Sequence, residues 1–241
     1  MNYKETKSVV QTTIISSDDG RFTYEIRKDF SNIKGKTAVV IMLFPGTSYL
    51  DILKTDNTTQ SLINHVQELG FSQLRLVNIF SKVCSARMSV KNIQPDLEDL
   101  HYIENIMKEE GADSLEWIIA WGSSMSSSKV ANQMKKQIIQ RLKKHLPQVT
   151  LKQFMVEELD DVKNTAALHP LYLKIRYANS HWILEDYQVP KEMLIADEKE
   201  ETKQSDNKNS NDSEEQSNQE QGLADKVKRQ VKGNPKYIIQ D

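Results

Sequence analysis

Residues able to do chemistry collect in four short segments. Phe44-Pro45-Gly46-Thr47-Ser48 can turn backbone N–H groups and two hydroxyls towards an anion, and it equally suits a plain strand-to-helix turn. Asp51 and Asp56 follow on the same connection. A carboxylate there serves as general base or orients water, or else caps a helix; Asp56 or Asn57 stands where the next helix begins. Asn78-Ile79-Phe80-Ser81 brings a carboxamide. Trp121-Gly122-Ser123-Ser124 brings an indole and two hydroxyls, whose serines suit helix capping or a phosphate at a helix N-terminus. The fourth segment, Ala167 to Leu173, contains His169-Pro170. Proline disfavours the α region for the residue before it, so the imidazole has a defined direction. With an unperturbed pKa of about 6.5, that imidazole can donate to a developing anion or to a phosphate. The plain alternative is that His169 bonds a neighbouring loop while Leu171 and Leu173 anchor the segment.

Gly122-Ser123-Ser124-Met125-Ser126 is also similar to the nucleophile elbow G-x-S-x-G, with Ser126 in place of the last glycine. A serine hydrolase built on it would use Ser124, Asp160 or Asp161, and His169. No His/Cys/Asp/Glu group has metal-ligand spacing, and neither G-x-x-x-x-G-K-[ST] nor G-x-G-x-x-G occurs. No metal and no cofactor are therefore expected. His65, His101 and His145 fall on expected helices, as surface or boundary residues.

The elements that must position these segments are read from hydrophobic period. Val9–Ser16 and Arg21–Arg27 flank Asp18-Asp19-Gly20 and form a β-hairpin. Residues 37–44, 74–80 and 115–121 are nearly continuous apolar runs, the mark of strands buried on both faces. Residues 151–156 make a fourth core strand and 181–187 an edge strand. Between them, Leu62, Ile63, Val66 and Leu69 follow helical spacing up to Gly70. Residues 95–108 and 126–146 are helical too, the latter stopped by Pro147. Alternation from residue 37 to 156 predicts a three-layer α/β fold with a central, mostly parallel sheet and the N-terminal hairpin at its edge. In such sheets ligands bind beyond the carboxyl ends of the strands, where all four segments fall.

Composition bounds the rest. The chain has 241 residues, 27% charged, with formal net charge -2, so charge alone demands neither a nucleic-acid nor an acidic partner. One cysteine, Cys84, excludes an intrachain disulfide and suits a reducing cytosol. No stretch approaches a membrane span of roughly 20 apolar residues, so a cytoplasmic protein without membrane attachment is expected. The single α/β domain is assigned to residues 1–192. A polar, acidic linker at 193–222 follows; Lys199 to Gly222 has no hydrophobic residue and is expected to be disordered, because nothing there offsets ordering entropy. Residues 223–241 form a basic segment with Leu223, Val227 and Val231 as an apolar stripe, a candidate contact for a protein partner or nucleic acid, or a frayed end. Lys129, Lys135, Lys136, Arg141, Lys143 and Lys144 decorate the long helix as a solvated face, or as a nucleic-acid surface.

The same loops carry a resemblance. Leu43-Phe44-Pro45-Gly46-Thr47, Asp56-Asn57-Thr58, Asn78-Ile79-Phe80, Ala120-Trp121-Gly122 and His169-Pro170-Leu171-Tyr172-Leu173 follow, in order, the motifs of the bacterial family catalogued as domain of unknown function 1643, which the chain resembles. That resemblance spans roughly residues 20 to 190 and implies no settled activity. The order also resembles uracil-DNA glycosylase-like α/β proteins, which flip a base into a pocket at this rim. This second resemblance implies that Pro45 to Thr47 shape the pocket, Asn78 reads the base and His169 stabilises the departing base. Phe44, standing beside Pro45, can stack on a base but cannot activate water. The expected site thus has His169 and Asp56 as catalytic candidates, with Phe44, Pro45, Gly46, Thr47, Asn78, Trp121, Gly122 and Ser123 around a ligand. The expected ligand is a nucleotide or nucleic acid, with glycosylase-like base hydrolysis as the candidate reaction. A small-molecule serine hydrolase and a non-catalytic interaction module are the alternatives.

Overall fold

The computed structural model describes residues 3–47, 51–84, 93–159 and 167–195. Its centre is a seven-stranded sheet built from β1 (Val10–Ser16), β2 (Thr23–Phe30), β3 (Lys36–Met42), β4 (Phe71–Asn78), β5 (Glu116–Ile119), β6 (Lys152–Val156) and β7 (Trp182–Asp186), in the order β1-β2-β4-β3-β5-β6-β7. The run Thr37 to Met42 lies in the middle because it is apolar on both faces; Ala38, Val39, Val40 and Ile41 have no solvent exposure.

Among the described residues, five helices cover the two faces. α1 (Asn57–His65) and α4 (Pro170–Arg176) pack on one, through Leu62 and Leu173. α2 (Leu97–Met107) and α3 (Lys129–His145) pack on the other, through Leu100, Ile103, Met134 and Ile138. α5 (Lys191–Leu194) rests against α3. The three layers follow directly from the stripes on these helices.

The expected parallel pairing among the three apolar runs is present: β3 pairs with β4 and with β5 in parallel, and β5 touches β6 in parallel at Ile118 and Lys152. The sheet as a whole is not mostly parallel. The β1–β2, β2–β4 and β6–β7 pairings are antiparallel, and together they hold more paired residues than the parallel ones. The cause lies at the edges. The hairpin lays β2 antiparallel against β4, and β7 returns antiparallel beside β6 instead of crossing over.

Helix ends differ from the periodicity at one place that matters. The sequence pattern suggests a loop from residue 167 to 173, but Pro170 opens α4. Proline at the first helical position costs no hydrogen bond, and Lys174 and Arg176 in the last turn suit the helix dipole. The linker and basic segment assigned to 193–222 and 223–241 lie, from residue 196 on, outside the described residues. Ser48, Asp160 and Asp161 do too.

Candidate functional site

Strand β3 is where the chain reverses direction across the sheet. Its connection to β4 runs to one side, and the next connection, from β4 to β5, passes to the other. Loops leave the carboxyl ends of β3 and β5 on opposite faces there, which opens a crevice between them. A cleft of about 410 Å³ occupies this point. Ile26, Met42 and Leu76 form its apolar floor. Phe44, Pro45 and Gly46 form one wall, and the N-terminal turns of α1 and α4 face into it.

Asp56 organises the first wall. It is the N-cap of α1: Oδ1 accepts from the backbone N–H of Thr58 at 2.8 Å and of Thr59 at 2.9 Å. Oδ2 accepts from the Thr59 hydroxyl at 2.8 Å and the Thr47 hydroxyl at 3.3 Å. Both oxygens are thus engaged, and the carboxylate holds the loop in place. Gly46 passes close beside it; a Cβ there would come within 3.3 Å of Asp56 Cβ. Thr47 is buried behind Asp56, and its carbonyl accepts from the Thr23 hydroxyl at 3.0 Å.

Asn78 ends β4 at the cleft. It is only 1% exposed, and its Oδ1 has no hydrogen-bond partner among the described residues. An unpaired buried amide oxygen costs about 1–3 kcal/mol, a loss that a donor brought to it would recover. Phe44 stands nearby, stacked on Phe80 with ring centroids 5.1 Å apart. Trp121 lines the far side; behind it, Tyr187 meets its ring edge-on and the Lys135 ammonium lies 5.6 Å from its centroid.

His169 closes the opposite wall as the N-cap of α4. The Leu171 N–H donates to its Nδ1 at 3.2 Å. The neutral ring therefore carries its proton on Nε2 and offers a donor there. Burial lowers its pKa below the usual imidazole value, with Asp56 pulling the other way. Gly122 fixes the loop from below: its N–H donates to the Ala167 carbonyl at 2.8 Å, and its φ is +66°.

The cleft brings together Phe44, Pro45, Gly46, Asp56, Asn78, Trp121 and His169 from the expected set. Thr47 and Gly122 support its walls from behind. Ser123 is exposed and outside it, while the neighbouring Ser124 lines it. The turn does not have elbow geometry. Among the described residues no hydrogen bond joins Ser124 to His169, positive φ falls at Gly122 and Met125, and α3 starts only at Lys129 with Ser128 as its cap. Leu171 and Thr58 also line the cleft, although their types and positions in the sequence do not mark them as site residues. The helix-opening Pro170 is the available signal for Leu171. Among the described residues no group of His, Cys, Asp and Glu could hold a metal ion, and no helix is long and apolar enough to cross a membrane.

Fold and site define an α/β protein with a rim cleft at its topological switch point, polar at a few fixed atoms and otherwise apolar. The chain belongs to the family described as protein of unknown function (DUF1643), whose pattern matches residues 24–171, from β2 to the start of α4. No curated protein and no solved structure matches it.

Proposed function

We propose that the rim cleft binds a nucleobase, carried by a nucleotide or by an unstacked position of a nucleic acid. The observation that carries this reading is the Oδ1 of buried Asn78, without a hydrogen-bond partner among the described residues, in a cleft with an aromatic wall and a histidine donor opposite. The pairing edge of uracil or guanine sets a ring N–H beside a carbonyl oxygen. Asn78 would accept from the first and His169 Nε2–H would donate to the second, while Phe44 packs against the ring. The loop order resembling glycosylase-like proteins agrees with this. Base hydrolysis has less support than binding, because Asp56, the carboxylate best placed to activate water, has both oxygens committed to the α1 cap.

Calorimetric titration with uracil, uridine, cytidine, adenosine and guanosine tests the reading. At least one should bind. Asn78→Leu should weaken it by at least about tenfold, near 1.4 kcal/mol, without lowering Tm. Absence of binding by all five, or equal affinity in Asn78→Leu, would reject it. Labelling of Ser124 by a fluorophosphonate would favour the hydrolase alternative instead.

A further inference from the structure

We infer that the ligand of the cleft is a single-stranded nucleic acid, with α4 following the chain beside the bound base; this rests on the base-binding reading. Leu171 lines the cleft, and the residues after it on α4 turn outward. Tyr172 is 44% exposed and Ile175 70%, and Arg176 lies on the same face, at spacings of three and four residues. Tyr177 meets the Tyr172 ring at 62° with centroids 6.2 Å apart, which steadies that ring as a platform. Such a large exposed aromatic beside a cleft can take the face of a neighbouring base, and stacking of this kind tolerates any sequence.

Charge on the same helix agrees. α4 contains no acidic residue, and among the described residues neither Lys174 nor Arg176 has an ion-pair partner. Lys174 reaches across to α1 and donates to Asn57 Oδ1 at 3.4 Å, at the edge of the cleft. Arg176 stands about 7.5 Å farther along the helix axis than Leu171. A free nucleoside seated in the cleft leaves both cations without use, and a free mononucleotide leaves the Tyr172 platform without use; a strand uses both, carrying the next phosphate and base outward along α4. An acidic peptide would satisfy the two cations but leaves the Tyr172 platform unexplained.

The experiment uses the full chain. Fluorescence anisotropy measures binding of a mixed-sequence single strand of about a dozen nucleotides containing all four bases. The five base and nucleoside titrations and a polyglutamate peptide run alongside. The strand should bind at least about tenfold tighter than the best nucleoside. Tyr172→Ala, and the pair Lys174→Gln with Arg176→Gln, should remove most of that gain and leave nucleoside affinity unchanged. The double variant should also flatten the dependence of log K on log salt by roughly 1.4, about 0.7 for each phosphate that is no longer neutralised. A nucleoside that binds while the strand binds no tighter overturns the inference and leaves the base-binding reading standing. Strand binding that ignores both variants overturns it as well, as does α4-dependent binding of polyglutamate in place of the strand. If neither nucleoside nor strand binds, the base-binding reading falls and this one with it.

Discussion

Gly122 and His169 meet so closely that a Cβ added at Gly122 would lie 3.0 Å from the His169 Cβ. Two independent constraints therefore require glycine at this turn, the close approach and the φ of +66°. The Gly122 N–H bond to Ala167 ties the same two loops together. Gly122→Ala should cost about 1–3 kcal/mol and push His169 away from the cleft. Thermal denaturation reads the first effect, and nucleoside affinity reads the second. An alanine variant with wild-type Tm would contradict the close approach.

His169 gives a pH signature with a definite sign. Burial disfavours its charged form in the folded protein, so the folded pKa is below that of the unfolded chain, about 6.5. The unfolded state then takes up a proton first as pH falls. The associated stability is complete above about pH 6.5 and is lost as pH drops from there through the lower folded value. A proton on Nδ1 also breaks the bond from the Leu171 N–H. His169→Asn keeps a good capping acceptor without a titrating group. Its Tm should fall less than that of the wild type between pH 7 and pH 5, and its nucleoside affinity should drop, since the Nε2 donor is gone. Parallel Tm curves would count against burial of the imidazole.

Sequence periodicity reveals the central part of this fold well. Residues 37–44, 74–80 and 115–121 are mostly apolar without alternation, interrupted by Arg75, Asn78 and Glu116, and short runs of that kind suit strands covered on both faces. Strand direction at the edges is less legible. The N-terminal hairpin does add antiparallel strands at one edge, as its turn suggests, but β7 looks like any short half-buried strand, and nothing in its residues encodes antiparallel docking against β6. That choice is made by connection length and by which edge remains open, both tertiary properties.

The cleft is legible through the strand ends, because Phe44, Asn78 and Trp121 each stand at or just past the close of a buried run. What sequence cannot separate is a wall from its support. Thr47 and Gly122 have the same kind of position as Phe44 and Trp121, yet the fold places them behind the surface. Ser123 and Ser124 are adjacent and alike, and the turn rotates only the second into the cleft. The role of Asp56 is similarly open between base and cap in the sequence, and the structure shows the cap.

Lys135 carries the remaining prediction. It sits on the inner face of α3, 4% exposed, with its ammonium against the Trp121 ring. Burial alone pulls its pKa down to about 8. The unfolded chain holds that proton up to about 10.5, so the folded state is penalised at every pH below about 8. The penalty fades as pH rises from about 8 to about 10.5, where both states become neutral. Methionine has a similar shape and no charge, and its sulfur also packs well against an aromatic ring. Lys135→Met should therefore raise stability at pH 7 by about 1–3 kcal/mol, the cation–π contact reducing the gain. The advantage should shrink towards zero by about pH 10.5. Denaturant unfolding of both proteins at about pH 7 and pH 10 measures it; a methionine variant less stable at pH 7, or a difference independent of pH, would show that the ammonium finds compensation in the folded chain.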